Sequence, residues 1–128
     1  WSQSNPARTW WAGRPRTRGP RTERVREICL VHLDKTRPAL VLTREAARGA
    51  MTKVAIAPIT STVKGLSSEV LVGPMNGLDH HGAVSLDNVL TVPVAALGRT
   101  VGYLTDAQES LLARAVVLAY DLDLPLLD

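Results

Sequence analysis

The order of apolar and polar positions divides the chain in two. Residues 1–24 have no period: Pro6, Pro15, Pro20, Gly13 and Gly19 punctuate a polar, arginine-rich run of the kind that stays disordered. From Val25 onward, short apolar runs alternate with turn formers. Residues 27–33, carrying Ile28, Leu30 and Leu33, predict a first strand. Arg37-Pro38 leads into a second strand over 39–43, with the proline at its entrance, where a strand tolerates one. Residues 44–49 predict a short helix ending at Gly49. A third strand over 53–57 runs into Pro58-Ile59-Thr60, and 61–67 is a turn region around Gly65. Residues 68–72 alternate partially as a strand, and 74–82 form a loop rich in Gly, Asn and Asp. Residues 83–92 read as one further strand, 93–97 as a single helical turn and 99–104 as the last strand. Thr105 is placed to cap a helix, with Gln108 three residues on. Leu111, Leu112, Ala115, Leu118, Ala119 and Leu122 then recur at helical spacing, and Pro125 ends the run. Five or six short strands and one C-terminal helix predict a small, mostly antiparallel β-barrel.

Composition sharpens this division. The 128 residues carry a net charge of +3 and are sufficient for one domain. Six arginines (Arg8, Arg14, Arg16, Arg18, Arg21, Arg24) face one acid, Glu23, within residues 1–24, whereas residues 25–128 hold nine basic and eleven acidic residues. The positive excess therefore belongs entirely to the N-terminal arm, together with Trp1, Trp10 and Trp11. Two readings of that arm are open. An arginine- and tryptophan-bearing segment can grip RNA by charge and stacking. Alternatively it is not native to the domain, which then starts at Val25, where a GTG codon can open translation. The second reading is preferred, which sets the domains at 1–24 and 25–128.

No apolar run approaches the roughly 20 residues of a membrane span, and the basic N-terminus lacks the apolar stretch of a secretory signal. The single cysteine, Cys29, excludes an intrachain disulfide and a zinc ribbon. A lone thiol fits a reducing compartment, so a cytoplasmic location is expected.

Four blocks, in order, carry a resemblance to a known family. They are Val25-Arg26-Glu27-Ile28-Cys29-Leu30-Val31-His32-Leu33-Asp34; Arg37-Pro38-Ala39-Leu40-Val41-Leu42-Thr43; Ala57-Pro58-Ile59-Thr60-Ser61-Thr62 with Lys64-Gly65-Leu66 and Glu69-Val70; and Ala83-Val84-Ser85-Leu86-Asp87-Asn88-Val89 with Leu97-Gly98-Arg99-Thr100-Val101-Gly102. In register across residues 25–122, they resemble the MazF/PemK toxins, the endoribonucleases of type II toxin–antitoxin pairs. The resemblance implies an SH3-like barrel with a C-terminal helix, a homodimer, an RNA substrate cut at a short sequence, no cofactor, no metal, and a cognate MazE-like antitoxin whose acidic segment occupies the RNA groove. The departures are specific. Arg26 and Cys29 stand where the opening motif usually has Gly and Trp. The loop before Arg37 is very short, where many members insert a segment that closes over RNA. Ser85 stands where one branch has an arginine two residues before the Asp87 position.

Metal-free RNA cleavage uses the 2′-OH as nucleophile, giving a 2′,3′-cyclic phosphate and a 5′-OH. The enzyme must handle that proton and stabilise charge on the phosphorane. The resemblance places Arg37 and Thr60 at the scissile phosphate. A guanidinium suits bidentate phosphate contact and, remaining protonated, serves as a charge stabiliser rather than a proton shuttle. Thr60 can donate to a phosphoryl oxygen, with Ser61 and Thr62 as neighbouring RNA-contacting hydroxyls. Asp87 is the candidate carboxylate, as base or as orienter, and can equally be a turn residue. Lys64 and Arg99 are candidate phosphate contacts. Glu69 is expected to make a structural contact within the barrel.

Asp79-His80-His81 lacks the i, i+4 spacing of a helical zinc site and reads as a solvated loop. His32 is either an edge residue or close to the dimer groove, and Cys29 is expected to be buried as a small apolar group. The main alternative function is a CcdB-type toxin that binds DNA gyrase without cutting RNA. It depends on a Trp-Gly-Ile-like C-terminus, which Leu124-Pro125-Leu126-Leu127-Asp128 lacks. A catalytically inactive SH3-like adaptor is a third.

Overall fold

A computed structural model describes residues 26–123, so the expectations for the arm and for Pro125 lie outside the described residues. In chain order the elements are β1 (Glu27–His32), β2 (Thr36–Val41), the one-turn helix α1 (Glu45–Arg48), β3 (Lys53–Thr60), β4 (Glu69–Val72), β5 (Gly82–Ser85), β6 (Leu90–Pro93), β7 (Leu97–Tyr103) and α2 (Asp106–Ala119). Three 3₁₀ turns, Pro74–Asn76, Leu86–Asn88 and Val94–Ala96, fall between them. Every strand pairing is antiparallel, in the spatial order β4-β5-β3-β2-β1-β7, with β6 also on β3. This is the predicted mostly-β architecture, a curved half-barrel with a C-terminal helix.

The curvature originates in β3, which changes partners along its length. Lys53–Ile56 pair with β6, Ile56–Pro58 with β2, and Ile59 and Thr60 with β5. Pro58, which has no N–H, lies between the last rung to β6 and the first to β5, so the strand continues through it rather than stopping at Ala57. The same bend explains why 83–92 is not one strand. β5 serves one end of β3 and β6 the other, and Leu86–Asn88 turns the chain between them, tied by Asn88 Nδ2 donating to Ser85 Oγ at 2.8 Å.

β2 also begins earlier than predicted, because β1 pairs with it out to His32–Thr36. Its far end is closed by a side chain: Thr43 Oγ1 accepts the Ala55 N–H at 2.8 Å in place of a backbone carbonyl. Two register shifts against β7 add twist to β1.

Apolar side chains fill both faces of the central strands. Ile28, Leu40, Ala57, Ile59, Val84 and Leu86 lie under α2 with Leu112 and Ala115, while Cys29, Val31, Ala39, Val41, Val54, Ile56 and Val92 form a second cluster. Period-two alternation assigns successive residues of β1, β2 and β3 to one cluster or the other. The described residues contain no Phe or Trp, so both clusters are built of aliphatic side chains.

Helix α2 starts as predicted, with Thr105 accepting from Gln108 N at 3.1 Å in a reciprocal capping box. It ends short of the predicted stop. Asp121 adopts a left-handed conformation (φ 54°), and Leu122 N donates to Val117 O at 2.9 Å, the bonding of a Schellman cap. Aspartate tolerates that conformation better than most residues. No helix of the described residues is long and apolar enough to cross a membrane.

Candidate functional site

The rungs between β2 and β3 join Ala39 to Pro58, Leu40 to Ala57 and Val41 to Ile56. The ladder ends there, and Arg37 and Thr60 each lie two residues beyond its last rung, Ala39–Pro58. Alternation along each strand assigns both positions to the face of that rung. Each position is held from its other side as well: Arg37 opposes Val31 of β1, and Thr60 opposes Ala83 of β5. Arg37 is exposed, and its guanidinium has neither an ion pair nor a hydrogen bond among the described residues. Thr60 Oγ1 accepts the Thr62 N–H at 3.0 Å. With an oxygen lone pair engaged in this way, the hydroxyl proton remains free to be donated.

The eight residues between Thr60 and Glu69 form the β3–β4 loop, in which Ser61, Thr62 and Lys64 are exposed. The Lys64 ammonium has no partner among the described residues. Arg99, exposed and likewise without a partner among the described residues, lies on β7. There Leu97 opposes Val31, which in turn opposes Arg37, so β7 runs two strand spacings from β2, about 10 Å across the sheet.

The structure does not bring Asp87 to this place. Ala83 is the residue paired with Thr60, and Asp87 lies four residues beyond it, past the opposite end of β5. Its Oδ2 accepts the hydroxyl of Ser68, a buried residue at the foot of the β3–β4 loop. Glu69 makes its contacts in the loop rather than within the barrel. Its Oε1 accepts from the backbone N–H groups of Gly65 at 2.9 Å and of Lys64 and Leu66 at 3.2 Å each. Thus the loop following Thr60 is gathered by two carboxylates.

His32 pairs with Thr36 across the first hairpin (Nδ1 to Oγ1, 3.0 Å), and its ring lies against Gly98. As a neighbour of Val31 in an alternating strand, it projects to the face opposite Arg37. His80 and His81 are exposed, with the His81 ring over Gly73, and the described residues contain no group of three or more His, Cys, Asp or Glu able to hold a metal. Cys29 is buried as expected. Burial, and secondarily the Glu27 carboxylate, push its thiol up from 9.0 to about 12.

Two polar networks were not legible in the pattern. Arg26 holds Glu109 of α2 through two hydrogen bonds of 2.9 Å and also donates to Leu42 O. Arg48 donates to Glu27 at 2.7 Å, and the hydroxyl of Thr100 donates to the other oxygen of that carboxylate. Two arginines are therefore committed to architecture. Arg26 is thus a clamp on α2.

Residues 24–119 match the family model described as PemK-like, MazF-like toxin of type II toxin–antitoxin system. The chain is 52% identical over 99 residues to Endoribonuclease MazF3 of Mycobacterium tuberculosis, covering 77% of this chain and 96% of that protein. It is 37% identical over 86 residues to the probable endoribonuclease MazF5 of the same organism, covering 66% of this chain and 79% of that one. Among solved structures, the Mycobacterium tuberculosis toxin MazF-mt6 superposes with a TM-score of 0.74 at 52% identity, over 77% of this chain and 99% of the other.

Proposed function

The chain belongs to the PemK-like, MazF-like toxin family of type II toxin–antitoxin systems, and on that footing we propose that it is an endoribonuclease whose reaction centre is the Arg37–Thr60 pair. What supports the assignment is the register: a guanidinium unpaired among the described residues and a hydroxyl that accepts the Thr62 N–H both lie two residues beyond the last β2–β3 rung, on its face. The 2′-oxygen loses its proton, attacks phosphorus and displaces the 5′-oxygen, which is protonated as the P–O5′ bond breaks. The products are a 2′,3′-cyclic phosphate and a 5′-OH. Negative charge accumulates on the non-bridging oxygens, and a planar guanidinium with a neighbouring O–H donor meets it without rearranging. That permanent charge supplies the electrostatic help a metal ion would otherwise give, so the reaction runs in EDTA.

In this reading Lys64 and Arg99 hold RNA phosphates on either side of the pair, and Ser61 and Thr62 contact the strand. Asp87 supports the loop through Ser68 rather than moving a proton. The cut is selective for a short single-stranded sequence, because unstacked bases expose their edges to loops. The active unit is a homodimer with two such centres facing a shared groove. A cognate MazE-like antitoxin neutralises it by presenting an acidic segment to the same cations, relieving inhibition of translation and growth.

The test is cleavage of a long RNA by the purified protein in EDTA, with mapping of 5′-OH ends. Arg37→Ala should lower kcat at least about 100-fold, the cost of removing one transition-state donor. Arg37→Lys should retain charge but lose the fork, and recover only part of that loss. Removing residues 1–24 should leave the rate unchanged. Absence of cleavage, or cleavage indifferent to Arg37→Ala, refutes the assignment.

A further inference from the structure

Resting on that ribonuclease reading, we infer that Glu69 is a positioning residue for RNA binding: its carboxylate folds the backbone of 64–66 around itself and so fixes where the Lys64 ammonium meets the RNA. Three successive N–H groups converge on one carboxylate, from Lys64, Gly65 and Leu66. Lys64 N also lies 3.4 Å from Oε2. The return bond, Glu69 N to Leu66 O at 3.1 Å, closes the loop from the other side. Consecutive N–H groups turned inward in this way form an anion-binding concavity, here occupied by the chain's own carboxylate. Gly65 has φ +76°, the left-handed conformation this reversal requires and one that side chains rarely adopt.

Without the carboxylate, the loop has little to hold it. Residues 61–67 are all exposed, including the apolar Val63 and Leu66, so no core contact fixes their path. The remaining ties are at the two ends, Thr62 N to Thr60 Oγ1 and Ser68 to Asp87. The middle, where Lys64 lies, is held by Glu69 alone among the described residues. A flexible loop would bind RNA only after ordering, and the entropy of that ordering weakens affinity. Glu69 removes that cost in advance. Its carboxylate is taken up by the loop's own N–H groups, so its removal should affect binding more than chemistry.

The experiment compares wild type with Glu69→Ala and Glu69→Gln in the full chain, on a short cleavable RNA and on the same RNA bearing a 2′-deoxy scissile nucleotide. Unchanged circular dichroism spectra establish that the variants fold, and Glu69→Gln, which retains one acceptor, serves if Glu69→Ala does not. In Glu69→Ala, KM and the Kd of the uncleavable RNA should rise about tenfold while kcat stays within about twofold, the split expected for lost uniform binding. Amide exchange at Lys64, Gly65 and Leu66 should accelerate in the free protein. Lys64→Ala should cost about as much as Glu69→Ala, and the double variant little more than either, because the two act as one unit. Unaltered amide exchange, unaltered KM, or full additivity with Lys64→Ala overturns the inference while leaving the ribonuclease reading intact. If wild type neither cleaves nor binds RNA, both fail.

Discussion

A buried pair of side-chain amides joins α2 to the loop after β4, and removing it should unfold the domain under mild conditions. Asn76 is 1% exposed and Gln108 7%. The two amides face each other, with Asn76 Nδ2 donating to Gln108 Oε1 at 2.6 Å and Gln108 Nε2 to Asn76 Oδ1 at 3.1 Å. Each also satisfies backbone groups of other elements. Asn76 donates to Tyr103 O at 2.9 Å and accepts from Gly73 N at 3.1 Å. Gln108 donates to Leu71 O at 3.0 Å and accepts from Thr105 N at 3.0 Å. Asn76→Ala therefore leaves at least the Gly73 N–H and half of the Gln108 amide without partners in a site closed to water. Each stranded group costs about 1–3 kcal/mol, and together about 3–5 kcal/mol is expected. For a domain of this size, 1 kcal/mol moves Tm by about 4–8 °C, so the midpoint should fall by at least about 12 °C. Urea titration followed by circular dichroism reads the loss directly. The double variant Asn76→Ala/Gln108→Ala should be less destabilised than the sum of the single variants, since one set of stranded atoms is removed with the other. A single-variant loss below about 1 kcal/mol, or strict additivity, would show that water replaces the bonds and that the network is not structural.

Three further outcomes are expected. Cys29 should resist iodoacetamide at pH 8 in the folded protein and react only after denaturation. Because burial raises its thiol to about 12, the unfolded chain loses that proton first as pH rises past 9. Stability should therefore fall between pH 9 and 12, by up to about 4 kcal/mol, more steeply than in Cys29→Ala; parallel pH profiles of the two would sink this. Gly102→Ala should be among the most destabilising single changes, since its methyl group would overlap the carbonyl oxygen of Asn76, and soluble protein with an unchanged Tm would contradict it. Asp87→Asn retains an acceptor for Ser68, so it should lower kcat by less than about tenfold, far less than Arg37→Ala; equal losses would return Asp87 to proton transfer.

The strands and α2 were legible because each states its period within a few residues: β1 alternates, α2 repeats at 3.6, and Thr105 and Gln108 mark its start. What failed was each feature set by a partner distant in sequence. The break of 83–92 into β5 and β6 depends on where β3 bends, and β3 runs through Pro58 because its β5/β6 side has a gap there while β2 still pairs with it. The end of α2 at Asp121 carries no glycine to announce it. The site divides in the same way. Arg37 and Thr60 stand out in a row of apolar strand residues, but their common place just past the β2–β3 ladder is a property of register. The Asn76–Gln108 pair spans 32 residues and looks in the sequence like a loop asparagine and a helix cap.

The charge distribution shows how an acidic body can hold RNA. The described residues contain nine cations, of which Arg26 and Arg48 are locked to Glu109 and Glu27. Those pairs remove two positive and two negative charges from the field. Of the remaining carboxylates, Glu69 is shared among three backbone N–H groups and Asp87 is bound to Ser68. Their oxygens are engaged by N–H and O–H dipoles of the protein itself. Arg37, Lys64 and Arg99 have no such tie among the described residues, and each is exposed. A polyanion approaching the β2–β3 opening therefore meets exposed cations, while the two carboxylates of the β3–β4 loop are already engaged by the protein. Net charge does not describe that arrangement. The Arg26 clamp adds to it by binding an acid of α2 that would otherwise face solvent unpaired. Local pairing, not the balance of fifteen basic residues against twelve acids, decides where a phosphate can settle.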